Sequence, residues 1–126
     1  MVPANSSGSE ASPHSEQQTI LGIVVHLIGL PLSVIGVGVV YLLSDADFTR
    51  ENAQNALNWQ IFFTISLIIS LLFAFGLGEF VSNLFVFIGA LIIIIVGFLN
   101  VVFSLWATIK AIGGNEWAYP IAPRFV

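Results

Sequence analysis

The sequence predicts an all-α fold: an integral membrane bundle of three transmembrane helices, the first kinked at Pro31. Three observations predict it. Hydrophobic residues make up 57% of the 126 and charged residues only 8%, against about 25% charged in a soluble domain. So few charges cannot cover the water-facing surface of a chain this small. The apolar residues also fall into three long runs, each able to cross a hydrocarbon core of about 30 Å at about 1.5 Å per residue. The same composition excludes disorder over most of the length.

Residues 1–18 are polar and Ser-rich with two Pro, which predicts a disordered tail. Asn5-Ser6-Ser7 fits the N-glycosylation pattern, a short pattern that chance supplies in a Ser-rich stretch. Met1–Gln18 has no Lys or Arg, and no A-x-A site follows the apolar run, so that run reads as a retained span rather than a cleaved signal.

Thr19–Leu43 is the first span, with His26 its one ionisable side chain. Pro31 lacks an N–H and its ring crowds the carbonyl four residues earlier, which predicts a kink between Leu27 and Pro31. Ser44–Ala56 is a polar connection. Thr49 is the expected N-cap of helix two and Glu51 complements its dipole, so the helix is expected to start near Arg50. Its span covers 57–77, ended by Gly76-Leu77-Gly78. Glu79–Asn83 forms a tight link to the third span, 84–109. That span is rich in Ile, Val and Phe, but in lipid the backbone must satisfy itself and helix prevails. Lys110 and Gly113-Gly114 close it, and Trp117 and Tyr119 suit a tail lying in the headgroup zone. The transmembrane domain thus covers 19–126.

All three basic residues, Arg50, Lys110 and Arg124, fall on the side of the Asp45–Arg50 loop and the C-terminal tail. The positive-inside rule then predicts a multi-pass protein of the cell membrane with its N-terminus outside and its C-terminus cytoplasmic. With 3 basic residues against 7 acidic ones there is no basic patch for nucleic acid. The expected partners are the lipid bilayer and either a second copy or another membrane protein. Cys is absent and the two His, His14 and His26, are far apart, so no metal and no cofactor is expected.

Each span carries one seam of small or polar residues. Span one has Gly22, His26, Gly29, Ser33 and Gly36; span two has Ser66, Ser70 and Ala74; span three has Gly89, Gly97, Asn100, Ser104 and Thr108. Small residues admit close helix contact, and polar ones avoid lipid, so these seams should meet protein. His26 and Asn100 read as hydrogen-bonding glue, with a proton-responsive His26 as the alternative. Gln54, Asn55, Asn58 and Gln60 place four amides in seven residues, costly against acyl chains. They form an interfacial turn, pack on the tail, or offer a binding surface. Arg124, with its planar fork, is expected to dock on the start of helix two at Glu51, or on Asp45 or Asp47. The residues singled out for structure or interaction are therefore His26, Arg50, Gln54, Asn58, Gln60, Asn100 and Arg124. Asp45-x-Asp47 has no further acidic run, and no nucleophile-elbow, zincin or P-loop pattern occurs, so the protein is not expected to be an enzyme.

Three stretches carry a family resemblance. Phe48 to Gln60 (FTRENAQNALNWQ) resembles the pattern F-x-R-x-H-A-x-x-A-L-N-[FW]-Q of the small DUF4870, or Tic20-like, membrane proteins. Val25–Leu30 resembles their A-H-L-x-G-L opening, and Lys110-Ala111 through Tyr119-Pro120 to Arg124-Phe125 resembles their closing K-A…Y-P-x-x-x-R-F. Asn52 stands where that pattern has His, and Asp45 and Asp47 where Lys is usual. The resemblance implies a non-enzymatic accessory or assembly component of a membrane complex. The alternative it implies is a subunit of an oligomeric channel, transporter or protein-translocation assembly.

Overall fold

The computed structural model describes residues 13–126. The Asn5 acceptor pattern and residues 1–12 of the expected disordered tail lie outside the described residues. Four α-helices follow in order: α1 (Pro13–Leu43), α2 (Asp47–Leu71), the short α3 (Gly78–Phe80) and α4 (Asn83–Ile112). A π-helical turn, Leu72–Leu77, joins α2 to α3 without a break. Three segments are long and apolar enough to cross a membrane: Thr19–Leu43, Asp47–Phe80 and Asn83–Ile112. The second has 34 residues, about 50 Å of helix, so part of it stands outside the hydrocarbon.

α1 starts at Pro13, ahead of the apolar run, where a proline's missing N–H costs nothing. Its discontinuity sits at Ser33 (φ 49°, ψ −140°), two residues beyond Pro31. Pro31 weakens the hydrogen-bond ladder, and the chain leaves helical geometry where a polar side chain finds new partners. Ser33 Oγ donates to Gln60 Oε1 at 3.4 Å and lies 3.5 Å from Thr64 Oγ1. The bend presses one turn of α1 onto the next: a Cβ on Gly36 would lie 2.4 Å from Leu32 Cβ. Ser44 Oγ closes the helix by donating to the Val40 carbonyl.

α2 begins three residues before the expected start. Ala46 is its N-cap, and the Arg50 amide already donates to the Ala46 carbonyl. Thr49 is not the cap; it is fully buried. The reason is tertiary. α1 runs so close at Gly22 that a Cβ there would meet the Phe48 ring at 2.9 Å and Thr49 Cα at 3.1 Å. Gly76-Leu77-Gly78 does not end the helix either. Gly76 is absorbed by the wider π-helical turn, Gly78 opens α3, and the chain reverses at Val81–Ser82. Ser82 then caps α4, its side chain accepting from Leu84 N at 3.3 Å.

Two apolar clusters form the interior. Val25, Val37, Ala53, Ala56 and Leu57 join α1 to α2. Trp59, Ala107 and Tyr119, backed by Phe62, Phe103 and Trp117, join α2, α4 and the tail. The outward faces are apolar too: Ile35, Leu42 and Phe80 are each more than three-quarters exposed. A bilayer covers such a surface; water would not.

Candidate functional site

The polar residues gather at one end of the bundle. α2 supplies them at helical intervals: Asn52 and Trp59, seven residues apart, lie along one side, with Asn58 and Gln60 flanking. Asn52 Nδ2 donates to the Phe48 carbonyl one turn earlier at 2.9 Å, which turns Oδ1 toward α1. There it meets His26 Nε2 at 2.9 Å. An amide oxygen only accepts, so Nε2 carries the proton, and in the neutral ring Nδ1 is left as acceptor. Its partner is the Tyr119 hydroxyl at 3.0 Å, brought back from the tail. Burial holds the Tyr119 phenol above its ordinary pKa, so it stays protonated and can donate.

The Tyr119 ring stacks on Trp59, 5.2 Å between centroids and 7° between planes. Trp59 Nε1 donates to Asn100 Oδ1 at 2.7 Å, and Gln60 Nε2 donates to the same oxygen at 3.2 Å. α1 closes over this pair at Gly29, where a Cβ would sit 2.6 Å from Gln60 Nε2. His26, Gln60 and Asn100 are thus brought together in one buried assembly, with Asn52, Trp59 and Tyr119. Those three were not singled out from the sequence. The seven-residue step from Asn52 to Trp59 on one helical face was the signal for two of them; nothing local marks Tyr119, whose role depends on the tail folding back.

That return is built by Gly113 and by Gly114, whose φ of +78° suits a residue without Cβ. Asn115 N donates to the Lys110 carbonyl at 3.0 Å. Trp117 packs edge-on against Phe103. At the end of the tail, Phe125 N and Val126 N donate to Asn58 Oδ1 at 2.8 and 2.9 Å, and Gln54 Nε2 donates to the Val126 carbonyl at 2.8 Å. The tail therefore docks on helix two, but not through Arg124. The Arg124 Nε donates to the main-chain oxygen of Val126 at 3.4 Å, and among the described residues no Asp or Glu side chain pairs with its guanidinium. Energetics explain the difference. Buried Asn58 would lose about 1–3 kcal/mol if left unsatisfied, whereas an exposed Arg–Glu pair contributes only about 0–1 kcal/mol.

Arg50 stands apart from the polar core, with its guanidinium 5.1 Å from the Tyr41 ring centroid. Lys110 similarly covers Trp106 at 5.3 Å. Both are cation–π contacts suited to the headgroup level. On the outer side of the docked tail, Glu116 meets α2. A hydrogen bond to Glu51 raises its pKa, helped by slight desolvation and by the negative charges of Glu51 and Asp47. Between α2 and the tail lies a cleft of about 270 Å³ lined by Glu51, Gln54, Asn55, Asn58, Tyr119 and Arg124, among others.

Of the three seams, the span-two seam at Ser70 and Ala74 meets Gly89 of span three at 2.6–2.9 Å from a notional Cβ. Asn100, Ser104 and Thr108 are buried. Gly97 does not belong: a Cβ there would meet nothing within 4 Å.

These features define a class: a small multi-pass membrane protein whose polar side chains hold its own helices and tail together. Within that class the chain belongs to the MamF/MmsF family, the magnetosome magnetite crystal formation protein family, whose model matches residues 17–126. This corrects the resemblance to the DUF4870, Tic20-like proteins. The stretches that suggested it, Val25–Leu30, Phe48–Gln60 and Lys110–Phe125, all lie inside the region matched by the magnetosome family. No curated protein and no solved structure matches the chain.

Proposed function

We propose that the protein is a non-enzymatic accessory component of the magnetosome membrane, a small scaffold that presents a fixed cap to another membrane protein, or to a second copy, while magnetite forms. The observation that carries this reading is the docking of the tail: Asn58 takes two backbone amides and Gln54 a carbonyl at its far end. His26, Asn52, Trp59, Gln60, Asn100 and Tyr119 bond chiefly to one another, which supports a holding role rather than a reactive one. The outer rim carries Asp45, Asp47, Glu51 and Glu116, all exposed, which suits an electrostatically complementary partner. We assign the cap to the cytoplasmic face because Arg50, Lys110 and Arg124 all lie on it.

The test is complementation in a magnetite-forming cell that lacks the protein. Wild type should restore crystal size; Asn58→Leu, inserted to the same level, should not. Full restoration by Asn58→Leu would refute the scaffold reading. For orientation, in isolated magnetosomes Cys at Asn115 should label with an impermeant thiol reagent while Cys at Ser9 stays protected until detergent is added. The reverse pattern puts the cap on the other face.

A further inference from the structure

The cleft between α2 and the tail holds two opposite charges that do not meet. Its α2 wall carries Glu51, Gln54, Asn55 and Asn58; its tail wall carries Tyr119 and Arg124. Among the described residues no Asp or Glu side chain pairs with Arg124, although Glu51 lines the same cleft. Its Nε is tied to the Val126 carbonyl, which leaves the terminal nitrogens of the fork unused. Asn58 Oδ1 and the Gln54 amide N–H are occupied by the tail and one side of Glu51 by Glu116, so the groups left to meet a ligand are the Arg124 fork, the remaining lone pairs of the Glu51 carboxylate and Asn55.

We propose that this cleft binds a phosphate–ammonium zwitterion, the ethanolamine phosphate headgroup of a membrane lipid. A guanidinium fork matches a phosphate diester. A primary ammonium offers three N–H donors to Glu51 and Asn55, whereas a choline ammonium offers none. Glu116 and Asp47, near Glu51, add negative charge on the ammonium side. The level is right for a lipid. Asn58 follows Leu57, where the apolar run begins, and Trp106, Lys110 and Trp117 stand in the adjoining part of α4 and the tail. At about 270 Å³ the cleft falls just below the ~300–1,000 Å³ of sites for larger small molecules, a size suited to a headgroup. The inference rests on the three membrane-crossing segments and not on the scaffold reading.

The experiment uses the full chain in nanodiscs of phosphatidylcholine, phosphatidylethanolamine and phosphatidylglycerol in equal parts. Lipid retained after detergent extraction is read by native mass spectrometry. The ethanolamine lipid should be enriched over the choline lipid by about tenfold or more. Glu51→Gln should abolish that preference and leave phosphatidylglycerol retention intact; Arg124→Gln should lower retention of both the ethanolamine lipid and phosphatidylglycerol. Protease protection of the tail reports whether the cap survives each change. If Glu51→Gln loosens it, Arg124→Lys, which keeps the charge but not the fork, must still lower ethanolamine-lipid retention. Equal retention of the three lipids, or enrichment indifferent to both charge changes, overturns the proposal. Soluble phosphoethanolamine that binds while the lipid shows no enrichment assigns the cleft to a free ligand and overturns the lipid source.

Discussion

The two ends of the bundle are held by different physics. At the capped end, α1, α2, α4 and the tail meet through directed hydrogen bonds among His26, Asn52, Trp59, Gln60, Asn100 and Tyr119. At the opposite end none of the six residues of the π-helical turn is buried. Contact there comes from close backbone approach at Gly89 and from the packing of Gly78 on Val86. In a bilayer, apolar surfaces gain little by leaving lipid for protein. Polar groups do gain, because hydrocarbon offers them no partner. The capped end therefore fixes the geometry and the opposite end follows by shape.

The largest expected contrast is between two aromatic residues. Trp59 is fully buried and Phe75 is 74% exposed. Trp59→Ala should destabilise by about 3–5 kcal/mol, and Phe75→Ala should stay within about 0.5 kcal/mol. Reversible unfolding in mixed detergent micelles measures both; equal losses would break the comparison. Next in size is a glycine pair. Gly89→Ala drives a methyl to 2.6 Å from the Ser70 carbonyl oxygen, whereas Gly97 faces open space. The same assay should show a loss of about 1–3 kcal/mol for the first and almost none for the second. Smaller still is Asn58→Ala. It removes the buried acceptor of two tail amides, and those amides belong to the exposed residues Phe125 and Val126, which water can then satisfy, so the loss is about 0.5–1.5 kcal/mol. Its sharper readout is hydrogen exchange, which should quicken at Phe125 and Val126 and leave Ser82–Leu84 unchanged.

The smallest effect is a pH dependence confined to the cap. The Glu116 carboxyl is raised above its ordinary value, first by the hydrogen bond to Glu51. A raised carboxyl binds its proton more tightly in the folded cap than in a loosened one. Its contribution is complete below the ordinary carboxylate pKa and is lost as pH rises through the raised value. Tail protection should therefore decline across the mildly acidic range in wild type and lose that slope in Glu116→Gln.

The sequence announced the membrane, the three spans and the protein-facing seams, because apolar length and small-residue spacing are local properties. It also offered packing on the tail as one of three readings for the amides at Gln54 and Asn58, since amides at the edge of a bilayer need partners. The particular contacts were less legible. Arg124 carried the obvious charge, yet the lock went to backbone amides, because a buried acceptor loses more unsatisfied than an exposed cation gains paired. Ser33 took the break expected at Pro31 because its hydroxyl donates to Gln60 and meets the Thr64 hydroxyl on another helix. The glycines at 76 and 78 were expected to end a helix; a wider turn absorbed the first and the second continues into α3. The family assignment rests on a match over residues 17–126, whereas the three short motifs read from the sequence pointed elsewhere.

The docked tail is the claim on which the cap, the cleft and the scaffold reading all depend. The chain has no Cys, so a pair can be introduced cleanly at Asn55 and Ala122, which line the two walls of the cleft. In native membranes a short bifunctional thiol reagent should join the two within one chain in nearly every molecule. A second pair at Asn55 and Asn83, on opposite ends of the bundle, should stay unjoined. Failure of the first pair to cross-link, with both thiols freely reactive toward a monofunctional reagent, would show a tail that does not sit on helix two and would contradict the account.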